Sequence, residues 1–286
     1  MSDLTEMTET DAPAMGVLQN QEVIIISTER SGTNFFCECL GEFAEAARFF
    51  EFFARDGVYG LASNPILHDR LSEALGYEVG QDDRNERLVT AIREEPIKHL
   101  KIFSRISRQA GKKFLSLKIF PGQIEPGKLR LGLTGPNKRV IFITRSRLDC
   151  YISFEKALMS DVWQNADTSD VRPEIDYGNF IRWAMIQDEW YGKTERKLRE
   201  AGTPYQIYSY ETDINCPKDA LVERQYFTLR SFGLDVQLPV SVRPAIFTKQ
   251  DTASDPFAKI KNGDALRAEL EANDALEFAM SKPLLG

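Results

Sequence analysis

Residues 21–43, QEVIIISTERSGTNFFCECLGEF, hold the stretch on which the fold turns. Val23 to Ile26 is apolar on both faces, which suits a strand buried inside a parallel sheet. A polar run, Thr28-Glu29-Arg30-Ser31-Gly32-Thr33-Asn34, follows at once, and from Phe35 the pattern turns helical. A tight turn at the carboxyl end of a parallel strand leaves several backbone N–H groups pointing into one pocket. The positive end of the next helix adds to them. Gly32 lets the backbone approach a ligand closely, Ser31, Thr33 and Asn34 offer side-chain donors, and Arg30 supplies fixed charge. The segment is suited to holding an oxyanion. An ordinary strand-to-helix turn with a Ser or Thr cap has the same local look, and on these residues alone both readings stay open. The common nucleotide loop G-x-x-x-x-G-K-[ST] is absent, so a standard ATPase or GTPase loop is excluded.

Outward from this stretch, three more short apolar runs predict strands: Phe114–Phe120, Val140–Thr144 and Tyr205–Tyr210. Each leads into helical pattern or loop residues, and such alternation indicates a parallel sheet covered by helices. Residues 174–201 place Phe180, Ala184, Tyr191 and Leu198 along one face, with Pro173 before and Gly202 after, which predicts a long amphipathic helix. Residues 64–112 are charged and helix-forming, and read as a helical insertion between the first two of these strands. The expectation is therefore a three-layer α/β fold with a central parallel sheet, as one domain over residues 21–286. Residues 1–20 read as a mobile acidic tail.

The chain has 286 residues, 42% of them hydrophobic and 28% charged, which suits an ordinary globule. A net charge of −7 argues against a nucleic-acid binder, which needs a broad cationic face. The opening residues carry neither a basic start nor an apolar run, so no signal peptide is expected. No apolar run approaches the ~20 residues that span a bilayer. Four cysteines without a stapling pattern point to a reducing, cytoplasmic setting. Cys37 and Cys39 would project about 200° apart on a helix and cannot grip one metal. With only two histidines, His68 and His99, no metal site is expected.

The stretch STERSGTNFF resembles the phosphosulfate loop of sulfotransferases, whose usual form is a strand followed by P-[RK]-[ST]-G-[ST]-x-x-[LFW]. That resemblance implies a P-loop-like fold. It also implies that Arg30, Ser31, Gly32, Thr33 and Asn34 cradle the 5′-phosphosulfate of the donor PAPS (3′-phosphoadenosine 5′-phosphosulfate). Glu29 stands where the family has proline, and it is expected to point away from the polyanion. A second segment, RVIFIT ending at Arg145, leads into SRLDCYISFEKAL. Ser153 follows Arg145 by eight residues, about two helical turns, and the two can converge on one phosphate. The family grips the 3′-phosphate of PAPS with such a pair. Taken singly, Arg145 also reads as a sheet-edge residue and Ser153 as a buried helix serine. Tyr210-Glu211 at the end of a late strand, and Lys249 with Lys259 in FTKQDTASDPFAKIKN, fit the family's late strand and nucleotide-covering loop. Packing and a plain charged loop are the other readings.

Sulfuryl transfer needs in-line placement, stabilisation of spread negative charge and removal of the acceptor proton. Arg30 is the expected charge stabiliser. Many cytosolic sulfotransferases use a histidine shortly after a lysine on the next sheet strand, but the similar stretch here, SLKIFPGQ, has Lys118 without one. Arg48-Phe49-Phe50-Glu51-Phe52-Phe53 resembles the P-x-E-[YF]-F stretch of bacterial glycolipid and trehalose-type sulfotransferases, as does SFEKALMSDVW with Ser153, Lys156, Ala157 and Trp163. The resemblance makes Glu51 the expected base. Its aromatic neighbours would desolvate it and raise its pKa. His99 is the fallback base, ahead of His68. The expected activity is sulfuryl transfer from PAPS, without a metal, to a small-molecule or glycolipid hydroxyl, with a homodimer left open. Phe49–Phe53 and Trp163, Trp183 and Trp190 suit either a sugar or lipid surface or plain core. Two other readings remain: a non-catalytic binder of nucleotide or sulfated ligand on the same fold, and an ATP-dependent kinase.

Overall fold

The structure, a computed structural model, describes residues 21–163, 165–247, 249, 251, 253–283 and 285. The tail expected at residues 1–20 lies outside them. Five parallel strands form the sheet: β1 (Gln21–Ile26), β2 (Ala46–Glu51), β3 (Phe114–Ile119), β4 (Lys138–Thr144) and β5 (Tyr205–Ser209), in the order β2-β3-β1-β4-β5. Alternation along the strands divides their side chains between two cores. Ile24 and Ile26 face one, with Leu115, Leu117, Val140 and Phe142. Val23 and Ile25 face the other, with Phe114, Ile141 and Ile143. Each fully buried Ile or Val contributes about 1.5–3 kcal/mol over exposure, so the run that marked β1 also anchors both cores.

Helices cover both faces. On the first lie α3 (Glu86–Glu94), α4 (Pro96–Gln109), α5 (Pro126–Leu133) and part of α7 (Tyr177–Glu200), through residues such as Leu88, Phe103, Leu129 and Tyr191. On the second lie α1 (Thr33–Leu40) and α8 (Lys218–Ser231), through Phe36, Leu40, Leu221 and Leu229. A third cluster joins α6 (Arg147–Ser160) to α7 and to α9 (Gly263–Ala272) and α10 (Leu276–Met280). The expected three-layer α/β architecture is present. Residues 64–112 carry α2 (His68–Leu75), α3 and α4 between β2 and β3. Among the described residues, no helix is long and apolar enough to cross a membrane.

One strand was not among the expected four. Ala46–Glu51 mixes alanines, charges and phenylalanines and has neither strand alternation nor a continuous apolar run. It is strand because β3 pairs with it, a case of tertiary context overriding local preference. The register shifts between Arg48 and Glu51, which brings Glu51 opposite Lys118. A bulge of this kind re-aims a side chain at the end of a strand. Phe49 and Phe52 turn inward onto Phe103, Phe53 packs on Phe52, and all three are buried core. Gly60, at φ +100°, lets the chain fold back against β2, where an added Cβ would lie 2.8 Å from the Phe49 Cα.

Candidate functional site

The sheet switches direction at β1: the chain leaves it toward β2 and β3 on one side, while β4 leads to β5 on the other. In open α/β sheets such a switch opens a crevice at the carboxyl ends of the strands. A cavity of about 450 Å³ lies there, within the size of a small-molecule site. Arg30, Gly32, Thr33, Asn34, Glu51, Arg145, Ser153, Tyr210 and Lys249, all singled out from sequence, line it.

The loop after β1 is built by two left-handed residues, Arg30 at φ 67° and Gly32 at φ 82°. These turns throw the Arg30 side chain outward and the Ser31 side chain inward. Ser31 is fully buried, and its hydroxyl is shared between Thr28 Oγ1 at 3.1 Å and Cys150 Sγ at 3.6 Å. Ser31, expected among the ligand-holding residues, is not in the cavity lining, and its hydroxyl lies against these two groups of the loop and α6. The Thr28 N–H donates to Tyr191 Oη at 3.1 Å, and the Cys150 thiol donates to the Glu29 carbonyl at 3.0 Å. Helix α1 starts from Gly32 with no side-chain cap, so its first N–H groups are open toward the cavity wall that Thr33 and Asn34 share.

The two arginines meet. Arg145 Nη1 donates to the Arg30 carbonyl at 2.8 Å, and Arg30 Nε donates to Ser153 Oγ at 3.0 Å. A further Arg30 N–H donates to the Trp163 carbonyl. Burial, and then the charge of Arg145, hold the Arg30 guanidinium below its ordinary pKa. Arg145 Nε is buried and, among the described residues, without a partner. Tyr210 ties the anchors together. Its ring lies under the Arg145 guanidinium at 4.4 Å, and a Cβ on Gly32 would come within 2.6 Å of it. Seven cationic side chains and four carboxylates line the cavity, in a chain whose net charge is −7. Positive charge is concentrated where an anion would sit.

Carboxylates hold several of these cations. Lys259 pairs with Asp149 at 2.6 Å and Lys156 with Asp251 at 2.5 Å. Lys249 is exposed at the rim. The late segment is tied across α1, where buried Glu38 accepts the N–H groups of Ile246 at 2.9 Å and Phe247 at 3.1 Å. Glu38 is itself paired with Lys218 at 2.6 Å.

On the opposite wall, Lys118 Nζ lies 3.3 Å from Glu51 Oε1 and also donates to Asn34 Oδ1. Glu51 Oε2 accepts from Gln123 Nε2 at 3.0 Å. Glu29 was expected to face away, and this too is corrected: it lines the cavity. Burial first, and then the charge of Glu51 against its own amide and Lys118, push its carboxyl above the ordinary range. With Arg30 left-handed, its two neighbours face different ways, Glu29 to the cavity and Ser31 to the interior. The motif comparison, which has proline at that place, carried no signal for it. Neither histidine reaches the site: His99 Nδ1 bonds the Glu95 carbonyl at 2.9 Å and His68 Nε2 the Leu61 carbonyl at 3.0 Å, both buried. Of the three tryptophans only Trp163 lines the cavity, while Trp183 packs on Tyr151 and Trp190 on the first core. All four cysteines are free thiols. Among the described residues, no group of three or more His, Cys, Asp or Glu could hold a metal ion.

No protein-family model matches this sequence, and no curated protein is similar to it. Among solved structures it is similar to the sulfotransferase domain from the Synechococcus PCC 7002 olefin synthase, at 14% identity and a TM-score of 0.41, over 94% of this chain and 98% of that one.

Proposed function

We propose that the chain is a sulfotransferase that moves the sulfuryl group of PAPS to a hydroxyl acceptor. One observation carries the reading: Arg30 and Arg145, from separate strand ends, line one cavity, and Arg145 donates to the backbone carbonyl of Arg30. Both side chains are half-buried, and an anion joining them would offset the repulsion that lowers the proton affinity of Arg30. The partnerless Arg145 Nε and the uncapped start of α1 fit a ligand with an anionic group at each end. The 5′-phosphosulfate is assigned to Arg30, Gly32, Thr33 and Asn34, and the 3′-phosphate to Arg145 and Ser153, with Tyr210 and Lys249 beside the nucleotide. When bound, PAPS supplies a sulfuryl group on a good phosphate leaving group. Arg30 then neutralises the charge that grows on that phosphate.

The acceptor's proton is proposed to leave to a carboxylate of the opposite wall, which carries Glu51 and Glu29. Aromatic faces from Phe35, Phe120, Trp163 and Phe247 share the lining with these polar groups, which supports a sugar or glycolipid hydroxyl as acceptor. The free thiols support a cytoplasmic setting.

The bisphosphate PAP is the direct test. It is expected to raise the melting temperature of the wild type. Arg30→Ala and Arg145→Ala should each weaken PAP binding about 10- to 150-fold, the equivalent of about 1.5–3 kcal/mol for a hydrogen bond to a charged group. An unchanged melting temperature at saturating PAP would overturn the proposal. A radiolabelled-PAPS screen over phenols, sugars and glycolipids then identifies the acceptor class.

A further inference from the structure

The wall facing the two arginines holds more acid–base chemistry than one carboxylate. Glu51 is spent on both oxygens, one on Lys118 at 3.3 Å and the other on Gln123 at 3.0 Å. Glu29 is engaged differently. It lines the same cavity, and among the described residues its carboxyl has no ion pair and takes its hydrogen bond from its own backbone amide. Its backbone is fixed from behind, since its carbonyl receives the Cys150 thiol at 3.0 Å. The backbone that carries the side chain is therefore held in place. It also immediately precedes Arg30, so proton acceptor and charge stabiliser stand on adjacent residues of one rigid turn.

We propose that Glu29 takes the proton of the acceptor hydroxyl, while Glu51 acts as a positioning residue that holds Lys118 beside it. The assignment rests on the sulfotransferase reading. The acceptor O–H proton passes to the Glu29 carboxylate as the acceptor oxygen forms its bond to sulfur. The bond from sulfur to the 5′-phosphate oxygen breaks, and its electron pair leaves with PAP beside Arg30. Protonated Glu29 afterwards releases its proton to solvent. The charged and titratable groups that face Glu29 are Glu51 of β2, Lys118 of β3 and Cys150 of α6. Burial, and then the nearby Glu51 charge, favour the protonated form, while the hydrogen bond from its own amide and the charge of Lys118 oppose it. A carboxyl so placed accepts a proton closer to neutrality than an exposed one does.

The test compares Glu29→Gln, Glu29→Asp and Glu51→Gln in three measurements: PAP-induced melting shift, rate of transfer from labelled PAPS to the most active acceptor of the screen as a function of pH, and infrared titration of the carboxyl band. Glu29→Gln should bind PAP within about threefold of the wild type yet lose kcat at least about 100-fold, and with it the acid limb of the pH profile. Glu29→Asp should recover part of kcat and restore that limb. Glu51→Gln should keep an acid limb at a shifted pH. In the infrared, a carboxylic-acid band that persists above the pH at which exposed carboxyls ionise should vanish in Glu29→Gln and remain in Glu51→Gln. Full kcat with an intact acid limb in Glu29→Gln would overturn the assignment, as would a band that vanishes in Glu51→Gln instead. A wild type that neither binds PAP nor transfers label overturns the sulfotransferase reading, and this assignment falls with it.

Discussion

Replacing Gly32 by alanine separates two physical demands that meet at the centre of the site. Gly32 sits at φ +82°, and an added Cβ would lie 2.6 Å from Cδ2 and 2.9 Å from Cε2 of Tyr210. The left-handed backbone costs an alanine about 1–2 kcal/mol. Pushing the ring aside adds about 1–3 kcal/mol, as overpacking does elsewhere. Gly32→Ala should therefore lower the free energy of unfolding by about 2–5 kcal/mol. The Tyr210 ring has little room to retreat, because the Arg145 guanidinium lies over it at 4.4 Å. Its displacement moves Arg145, so PAP affinity should fall in the same variant. Urea unfolding and PAP titration on Gly32→Ala, Tyr210→Ala and the double variant close a cycle. In the Tyr210→Ala background the ring clash is gone, while the backbone cost and the Ile214 contact at 3.3 Å remain. The cycle should thus show a coupling of about 1–3 kcal/mol. An equal cost of Gly32→Ala in both backgrounds would refute the claim that Tyr210 packs on this glycine.

Other outcomes follow from the ionic ties around the cavity. Glu38→Gln breaks a buried pair with Lys218 and weakens the hold on Ile246 and Phe247. It should cost about 3 kcal/mol in urea unfolding and speed PAP release in stopped-flow displacement, although Glu38 does not line the cavity; an unchanged release rate counts against the late segment as a cover. Glu29→Gln should also change the pH dependence of stability. Because the folded-state carboxyl lies above its ordinary range, the wild type's advantage is fully present below the unfolded-state value of about 4.3. It is lost as pH rises through the folded-state value. The variant should therefore be the more stable protein at about pH 8 and show no such gain at about pH 4. Urea midpoints at the two pH values check this, and the same difference at both would contradict it.

Much of the fold was legible as sequence because its signals are local. Val23 to Ile26 must be buried on both faces, and a polar glycine turn straight after such a strand leads into a helix wherever it occurs. The same holds for the runs that became β3, β4 and β5, and for the pattern behind α7. The order of the motifs also brought Arg30 and Arg145 under suspicion together. Only the tertiary structure decided what depends on partners. Ala46–Glu51 is a strand because β3 pairs with it, and its bulge, not its composition, brings Glu51 opposite Lys118. Ser31 and Glu29 exchange their expected directions because Arg30 takes a left-handed turn. A one-residue change of backbone hand, invisible in residue type for an arginine, sets which neighbour meets the cavity. Sequence chooses which side chains are available. The folded backbone chooses which of them share a space, since charge, desolvation and proton affinity act through distances that the linear chain does not contain.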